Sequence, residues 1–287
     1  MSMLRAEHLS FVYSQGTPFE KTAIGDISLE LNAGELVGVI GHTGSGKSTF
    51  IQHLNGLLKP TRGTVYFEGR DIHADKALLR QLRFQVGLVF QYPEYQLFEE
   101  TVFADIAFGP RNIGLGEAEV AERVREAAAF VGVGEDSFET SPLDHSGGQK
   151  RRIAIAGVIA MRPRMLILDE PTAGLDPAGR ESILKNILDY RERSGAGVLL
   201  VSHSMDDVAR IADRLVVFNE GRLAMQGTPA EVFDRADMLK GMGLTVPAAT
   251  EIALALKARG VELPESVYTT KYLTKLLLGL KAGAEPC

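Results

Sequence analysis

Short, continuous apolar runs recur along the chain and are separated by longer stretches with other patterns. Four of these runs occupy residues 36–40, 86–90, 165–168 and 198–201. Runs of this length, rich in valine, isoleucine and leucine, are typical of strands buried on both faces of a parallel sheet. The sequence therefore predicts an α/β fold built on such a sheet.

Two other regions carry strand patterns of a different kind. Residues 3–11 and 24–31 alternate in part between apolar and polar positions, which predicts antiparallel strands with one face toward a core. Residues 215–218 and 222–225 flank the sequence Asn-Glu-Gly and are predicted to form a hairpin.

Helical spacing dominates one internal segment and the tail. After residue 91 the chain becomes polar and irregular, and apolar residues then recur at helical spacing up to Gly132, the expected cap. We predict a mainly helical insert over about residues 92–160.

The tail carries two stripes of apolar residues at helical spacing. They pack either on each other and on the rest of the chain, or against a partner protein. They are Ala248, Ala249, Ile252, Ala253 and Leu256, and Tyr272, Leu273, Leu276, Leu277 and Leu280.

The amino-acid composition excludes some classes of function. The 287 residues include 31 basic and 37 acidic side chains, so a broad cationic face is absent and nucleic acid is not expected as a principal partner. The single cysteine, Cys287, cannot build an internal disulfide or a cysteine metal site, which fits a reducing cytoplasm. No apolar run approaches the roughly 18 residues of a membrane span and no signal-peptide pattern opens the chain, so any membrane role is expected through partners.

A glycine-rich turn follows the first apolar run and precedes a helical pattern. Gly41, Gly44 and Gly46 allow backbone N–H groups to approach phosphate oxygens, where a side chain would stand in the way. Lys47 and Ser48 complete the P-loop pattern, in which the ammonium reaches the β and γ phosphates and the hydroxyl binds magnesium. The predicted nucleotide-binding residues here are Gly41, His42, Thr43, Gly44, Ser45, Gly46, Lys47, Ser48 and Thr49.

Polar side chains also follow the ends of the three other apolar runs. Gln91 follows 86–90, and Asp169 with Glu170 follows 165–168, where paired acids are costly unless they serve a cation or a reaction. His203 follows 198–201, and its position alone is equally typical of a neutral histidine that only caps a strand end.

Two further candidates leave alternatives open. Ser146, Gly147, Gly148 and Gln149 precede a helical pattern and form either a second anion site or a plain helix cap. Tyr13 lies between the first two predicted strands, where it stacks on a purine base or only packs.

In this order and spacing the motifs resemble those of the ATP-binding-cassette (ABC) ATPases, over roughly residues 3–235. The resemblance implies a P-loop NTPase fold with a RecA-like parallel core, an antiparallel β subdomain and a helical signature subdomain. GHTGSGKST is similar to the family's Walker A motif, Gln91 to its Q-loop glutamine, HSGGQ to its signature, MLILDE to its Walker B strand, AGLD at 173–176 to its D-loop and His203 to its switch histidine.

The resemblance also implies residue roles. Ser48 and Gln91 would bind Mg²⁺ and Asp169 would hold its coordinating water, while Glu170 would polarise the attacking water and His203 would sense the γ-phosphate. Tyr13 would stack on adenine, the signature loop would complete the nucleotide site of the opposite subunit, and Asp176 of the D-loop would be a nucleotide-binding residue. His145 departs from the family's usual leucine before the signature serine.

More narrowly, the stretches around Gln91 and the signature look like the ATPases of energy-coupling-factor transporters, and the QLFEET sequence looks more like the second of their two paralogues. The tail resembles that group's small C-terminal helical domain, so we expect a nucleotide-binding domain over 1–235 and a dimerisation domain over 236–287. The resemblance implies a homodimer or a heterodimer with a paralogous ATPase at the cytoplasmic face of the membrane. A membrane scaffold subunit and a substrate-binding membrane subunit would import a vitamin or a transition metal ion.

Other functions fit less of the sequence. A soluble ABC ATPase of DNA repair would carry a long coiled coil between the P-loop and the signature, and a translation ATPase would carry two cassettes. A P-loop kinase leaves HSGGQ and His203 unexplained. Another class of ABC transporter ATPase stays open as an alternative.

Overall fold

The computed structural model describes residues 2–264 and 266–282, so Cys287 lies outside the described residues. The strands are β1 (Leu4–Tyr13), β2 (Lys21–Leu31), β3 (Leu36–Gly41), β4 (Arg62–Phe67), β5 (Arg70–Asp71), β6 (Val86–Val89), β7 (Met165–Asp169), β8 (Gly197–Val201), β9 (Arg214–Asn219) and β10 (Arg222–Gly227). The helices are α1 (Lys47–Leu54), α2 (Lys76–Gln85), α3 (Val102–Ile113), α4 (Glu117–Val131), α5 (Gly147–Ile159), α6 (Pro177–Ser194), α7 (Met205–Ile211), α8 (Pro229–Phe233), α9 (Ala236–Gly241), α10 (Ala248–Lys257) and α11 (Thr270–Ala282).

The central sheet has the strand order β10-β9-β3-β8-β7-β6, and all pairs except β10 with β9 are parallel. Successive side chains of a strand point to opposite faces, and in this sheet both faces are covered. In β3, Val37 and Val39 join one hydrophobic cluster, while Leu36 and Ile40 join the other. The predicted parallel sheet is confirmed.

The antiparallel elements are also confirmed. The strands β2, β1, β4 and β5 form a second sheet in that order, and Ile27, Leu29 and Leu31 are buried on its inner face. β9 and β10 form the predicted hairpin, whose turn residues Glu220 and Gly221 have φ of 48° and 75°. Two consecutive left-handed residues are typical of a type I′ turn, which matches the twist of the flanking strands.

The insert between β6 and β7 is helical, as predicted. Helix α4 spans Glu117–Val131 and ends, as predicted, at Gly132, which has the left-handed conformation with φ 75°. Helices α3, α4 and α5 pack together and contribute apolar side chains to the cluster on one face of the central sheet. The insert therefore has no separate core and is anchored on the sheet that carries the candidate site.

The tail packs differently from the predicted stripes. On α10, Ala249 and Ala253 of the predicted stripe are buried within the chain, while Ile252 is 48% exposed and Ala248 is also exposed. The reason is tertiary, because Thr250 turns inward to donate a hydrogen bond to the Val267 carbonyl at 2.9 Å. On α11, Leu273 is only 4% exposed and belongs to a small cluster, while the remaining predicted positions are partly or largely exposed.

Packing also bears on the predicted domain boundary. Ala236, Leu239, Leu244 and Val246 belong to the large cluster of the cassette, and the separate small cluster begins at Ala249. A boundary at residue 235 stays a prediction, and this packing favours one nearer residue 247. Within residues 2–264 and 266–282, no helix is long and apolar enough to cross a membrane.

Candidate active site

The candidate site lies where four neighbouring strands end. β3, β8, β7 and β6 are adjacent and parallel, so the residues after their carboxyl ends meet at one edge of the sheet, the usual ligand site of such sheets. A cavity of about 540 Å³ opens there. Its lining brings together Tyr13, Lys21, Thr22, Ala23, His42, Thr43, Gly44, Gly46, Lys47, Ser48, Thr49, Gln91, Asp169, Glu170, His203, Glu220 and Gly221.

The glycine-rich turn adopts a conformation that side chains would prevent. Gly46 has φ 101°, and a Cβ there would lie 2.7 Å from the Ala23 carbonyl oxygen and 2.7 Å from Ile24 Cγ2. The backbone of β2 thus fixes the turn from one side. From the other side, the Gly221 N–H of the β9–β10 hairpin donates to the Ser45 carbonyl at 3.1 Å.

Lys47 begins helix α1 and is only 6% exposed. Its ammonium donates to the carbonyl oxygens of Gly41 at 2.6 Å and His42 at 3.0 Å, so the cation is held inside the glycine-rich turn. Burial lowers the pKa of Lys47, and the nearby carboxylates of Glu170 and Asp169 oppose that effect. Carbonyl oxygens carry no net charge, so the buried Lys47 ammonium is well placed to bind an anion.

Two hydroxyls of α1 face other predicted residues. Ser48 Oγ donates to Asp169 Oδ2 at 2.8 Å, across 121 positions of sequence. Thr49 Oγ1 lies 3.3 Å from the Tyr13 hydroxyl at the end of β1. Tyr13 is held edge-on against Phe11, with ring centroids 4.8 Å apart, and keeps part of its ring exposed at the cavity.

Glu170 is buried in an unusual backbone conformation. It has φ 52°, a left-handed conformation that costs a non-glycine residue about 1–3 kcal/mol and occurs mainly at functional sites. The side chain is 7% exposed, and its Oε1 has no hydrogen-bond partner among the residues that the structure describes. That oxygen lies 3.5 Å from His203 Nε2, a contact without hydrogen-bond geometry.

Burial sets the acid–base properties of this pair. The pKa of Glu170 is raised to about 7, mainly by desolvation and also by the neighbouring Asp169. A backbone hydrogen bond from His203 partly offsets this rise. Desolvation also lowers the pKa of His203, with Lys47 acting in the same direction. Near neutral pH the histidine is therefore mostly neutral, and Glu170 is close to its midpoint between acid and carboxylate.

The residues present fit a nucleotide with a hard divalent cation. One buried oxygen of the cavity lining, Glu170 Oε1, has no hydrogen-bond partner among the described residues and marks a place where a ligand or its water completes the hydrogen bonding. In the described part of the chain, no group of three or more His, Cys, Asp or Glu side chains forms a metal cage by itself. Asp169 beside the Ser48 hydroxyl instead suits Mg²⁺, which binds one or two protein oxygens together with phosphates.

The four residues 146–149 do not line this cavity. They begin α5, where Ser146 Oγ accepts from the Gln149 N–H at 3.4 Å and Gln149 Oε1 accepts from the Ser146 N–H at 3.1 Å. This capping box bears out the helix-cap interpretation, and anion binding stays a prediction because Ser146 and Gly147 remain exposed. His145 precedes them and pairs with the Thr140 hydroxyl at 2.8 Å.

Asp176, also predicted to bind nucleotide, lies outside the cavity lining. Its carboxylate caps α6 by accepting from the Gly179 N–H at 2.7 Å. Nucleotide binding therefore stays a prediction for Asp176, as it does for the signature residues.

Sequence patterns missed several residues near the site. Lys21 and Ala23 of β2, and Glu220 of the hairpin turn, line the cavity although no motif marks them. Arg151 and Glu94 form a buried ion pair at 3.0 Å beside the site. The only sequence signal for that pair was the basic run after Gln149.

A larger cavity, of about 840 Å³, lies between α4, α6 and the loop before β7. Its lining includes none of the predicted residues, and two of its arginines are already paired. Arg123 contacts Glu119 at 2.7 Å and Arg162 contacts Glu126 at 2.6 Å. We therefore place the chemistry in the smaller cavity, where the strands end.

Comparisons with known proteins bear on the family of the chain. Residues 24–173 match the family described as "ABC transporter". The "Energy-coupling factor transporter ATP-binding protein EcfA2" of Caldanaerobacter subterraneus subsp. tengcongensis is 52% identical over 282 residues, covering 98% of this chain and 99% of that protein. The protein of the same name from Symbiobacterium thermophilum is 53% identical over 277 residues, 96% of each chain.

Solved structures match as well. The structure of cbiO1 from Clostridium perfringens, described as part of the ABC transporter complex cbiONQ, has a TM-score of 0.74 at 37% identity and covers 88% of this chain and 98% of its own. A dimeric post-hydrolysis state of the ATP-binding cassette MJ0796, bound to ADP and Pi, has a TM-score of 0.72 at 26% identity and covers 79% of this chain and 99% of its own.

Proposed function

Because this chain belongs to the ABC transporter family, as an ATP-hydrolysing subunit of the energy-coupling-factor type, we propose that its cavity powers the uptake of a vitamin or a transition metal ion through partner membrane subunits. The observation that carries the proposal is the convergence of Lys47, Ser48, Asp169, Glu170 and His203 on one cavity. These groups stand at the ends of adjacent strands and supply what phosphoryl transfer needs, which is positioning and charge stabilisation.

The glycine-rich turn and Lys47 bind the phosphates in this proposal. The ammonium is already held inside the turn by two carbonyls, so it needs little rearrangement to reach the β and γ phosphates. Ser48, Gln91 and Asp169 are the residues that would hold Mg²⁺, directly or through water. When bound, the ion neutralises charge that develops on the phosphate oxygens.

Glu170 is the proposed general base. Its unpartnered Oε1 is free to accept a hydrogen bond from water, and a pKa of about 7 suits a base that works at neutral pH. The proton of the attacking water passes to that carboxylate. His203 Nε2 lies 3.5 Å from Glu170 Oε1, and an N–H of the imidazole can donate a hydrogen bond to the γ-phosphate.

A complete site is proposed to need two subunits. Ser146 and Gly147 are exposed at the N-terminus of α5 and lie outside the cavity lining of their own chain. A helix N-terminus favours an anion, so this turn can bind the phosphates held in the cavity of a second subunit. The dimeric form reported for MJ0796 supports this arrangement.

An exposed aromatic face is the proposed contact for a membrane subunit. It consists of Tyr92, Tyr95, Phe98 and Phe108, which follow Gln91 in sequence and remain largely exposed. Phe98 and Phe108 stack edge to face at 4.9 Å, so the patch is preformed. Large exposed aromatic groups are typical of partner surfaces, and this one follows directly from a residue of the cavity.

The partners in this proposal are a second ATPase subunit, identical or paralogous, with a membrane scaffold subunit and a substrate-binding membrane subunit. The chain would then sit at the cytoplasmic face of the membrane. A soluble ABC ATPase is the other candidate, and it predicts that the native protein does not fractionate with membranes.

Substitution of Lys47 tests the site itself. Lys47→Ala removes the cation from the phosphates and should weaken ATP binding at least about tenfold, or roughly 1.4 kcal/mol. Titration calorimetry on the full chain measures this, with Lys59→Ala as the control for an exposed lysine outside the cavity. Unchanged ATP affinity in Lys47→Ala would place the nucleotide elsewhere.

A further inference from the structure

Arg151 is a buried arginine that contacts three segments around the active site. It lies in the second turn of α5, two residues after Gln149, and is 3% exposed. Nε and Nη2 donate to the two carboxylate oxygens of Glu94, at 3.1 and 3.0 Å. Glu94 belongs to the turn that follows Gln91, so one guanidinium ties the signature helix to the segment after β6.

The remaining nitrogen of Arg151 reaches the third segment. Nη1 donates to the carbonyl oxygen of Pro171 at 3.5 Å and to that of Ala173. These carbonyls directly follow Glu170. A lysine has no planar fork and cannot make the paired bonds to Glu94 and the carbonyl bonds together.

Backbone strain indicates that both tied segments are held in place. Tyr92, directly after Gln91, has φ 55°, and Glu170 has φ 52°. Left-handed conformations of non-glycine residues persist only where the surroundings enforce them. Arg151 supplies such an enforcement to both, through Glu94 on one side and the 171–173 carbonyls on the other.

From this geometry we propose that Arg151 is a positioning residue that couples the chain's own nucleotide cavity to its signature turn, residues 146–149. Arg151 and Glu94 line no part of the cavity and touch no reacting atom. When Gln91 and Glu170 respond to bound nucleotide, the segments that follow them move with the guanidinium, and the start of α5 moves with it. The proposal rests on the function proposed above.

A purely structural arginine would give a different result. Its replacement would loosen the whole insert and lower stability, but it would not change how the signature turn responds to nucleotide. The distinguishing quantity is therefore the difference in amide hydrogen exchange at residues 146–153 with and without nucleotide, and not the exchange rate itself.

The experiment uses the full chain at concentrations where light scattering detects only monomer, so that a partner cannot protect the turn. Amide exchange is measured with Mg²⁺ and a non-hydrolysable ATP analogue for the wild type, Arg151→Lys and Glu94→Gln. Arg123→Lys is the matched control, since Arg123 forms a partly buried ion pair with Glu119 in the same insert and touches none of the three segments.

We expect the analogue to change exchange at 146–153 in the wild type and in Arg123→Lys. In Arg151→Lys and Glu94→Gln most of that change should be lost while the affinity for the analogue stays within about twofold, or about 0.4 kcal/mol. A full nucleotide-dependent change in Arg151→Lys overturns the coupling role, whatever its melting temperature. A wild-type chain that binds the analogue without any change at 146–153 overturns it too. Failure of the wild type to bind the analogue would instead contradict the proposed function.

Discussion

The cavity at the strand ends and the C-terminal helices are both incomplete in the single chain, but for opposite reasons. In the cavity, the buried Glu170 Oε1 has no hydrogen-bond partner among the described residues. In the C-terminal helices, Ile252, Leu277 and Leu280 are exposed around a small cluster of buried side chains. Buried polar atoms without partners call for a ligand, and exposed apolar side chains call for a protein surface.

This contrast assigns different tasks to the two regions. Substitutions in the cavity should change nucleotide chemistry while the subunits still assemble. Substitutions on the exposed face of α11 should change assembly while nucleotide still binds. Three experiments can show whether nucleotide chemistry and subunit assembly depend on different regions.

The largest effect should come from separating the subunits. If Ser146 completes the site of a second subunit, the monomer should hydrolyse ATP very slowly, and activity should rise with protein concentration. In a dimer of this chain, mixing Lys47→Ala with Ser146→Arg should rescue one of the two composite sites in each mixed dimer. Steady-state ATPase assays against concentration measure both. Full activity where only monomer is detected would show that the cavity is complete on its own.

A smaller effect is expected from pH. Glu170, the proposed base, acts as a carboxylate, and burial raises its pKa to about 7. The hydrolysis rate should therefore rise as pH increases and fall as pH decreases through 7. Between pH 6 and pH 8 the deprotonated fraction, and with it the hydrolysis rate, should rise about tenfold. Single-turnover rates across this range measure it. A flat profile would mean that Glu170 does not titrate in the step that limits hydrolysis.

The smallest effect on nucleotide binding and hydrolysis should come from the exposed face of α11. Leu277→Asp with Leu280→Asp should lower recovery of the dimer or complex without ATP, since each leucine can contribute about 1.5–3 kcal/mol when buried in an interface. Leu273 is unsuitable because it lies in the small core. Lys275→Asp is the matched control on the same helix. Should the double variant lose ATP binding and thermal stability with assembly unaltered, this face belongs to the fold and not to an interface.

The features that could be predicted from the sequence are those with a local signal, and the features that were missed depend on contacts between distant residues. Most strands, α4 and the cavity residues of the glycine-rich turn and the strand ends could be predicted because apolar runs, glycines and polar strand ends are local signals. Lys21, Ala23 and Glu220 also line the cavity but carry no such signal. Which residues of the α10 stripe are buried within the chain could not be predicted, because the bond from Thr250 to Val267 spans 17 positions and has no local signature. The pairing of Arg151 with Glu94 spans 57 positions and was missed for the same reason.

The central claim is that Glu170 acts as the base for ATP hydrolysis in this cavity. Its most direct test is the single-turnover rate of ATP cleavage by Glu170→Gln in the assembled complex, with Glu192→Gln as the control for an exposed acid. The amide keeps the shape of the side chain but cannot accept the proton, so we expect ATP binding to persist and cleavage to fall about 10²–10⁴-fold. Cleavage at the wild-type rate in Glu170→Gln would contradict the assignment.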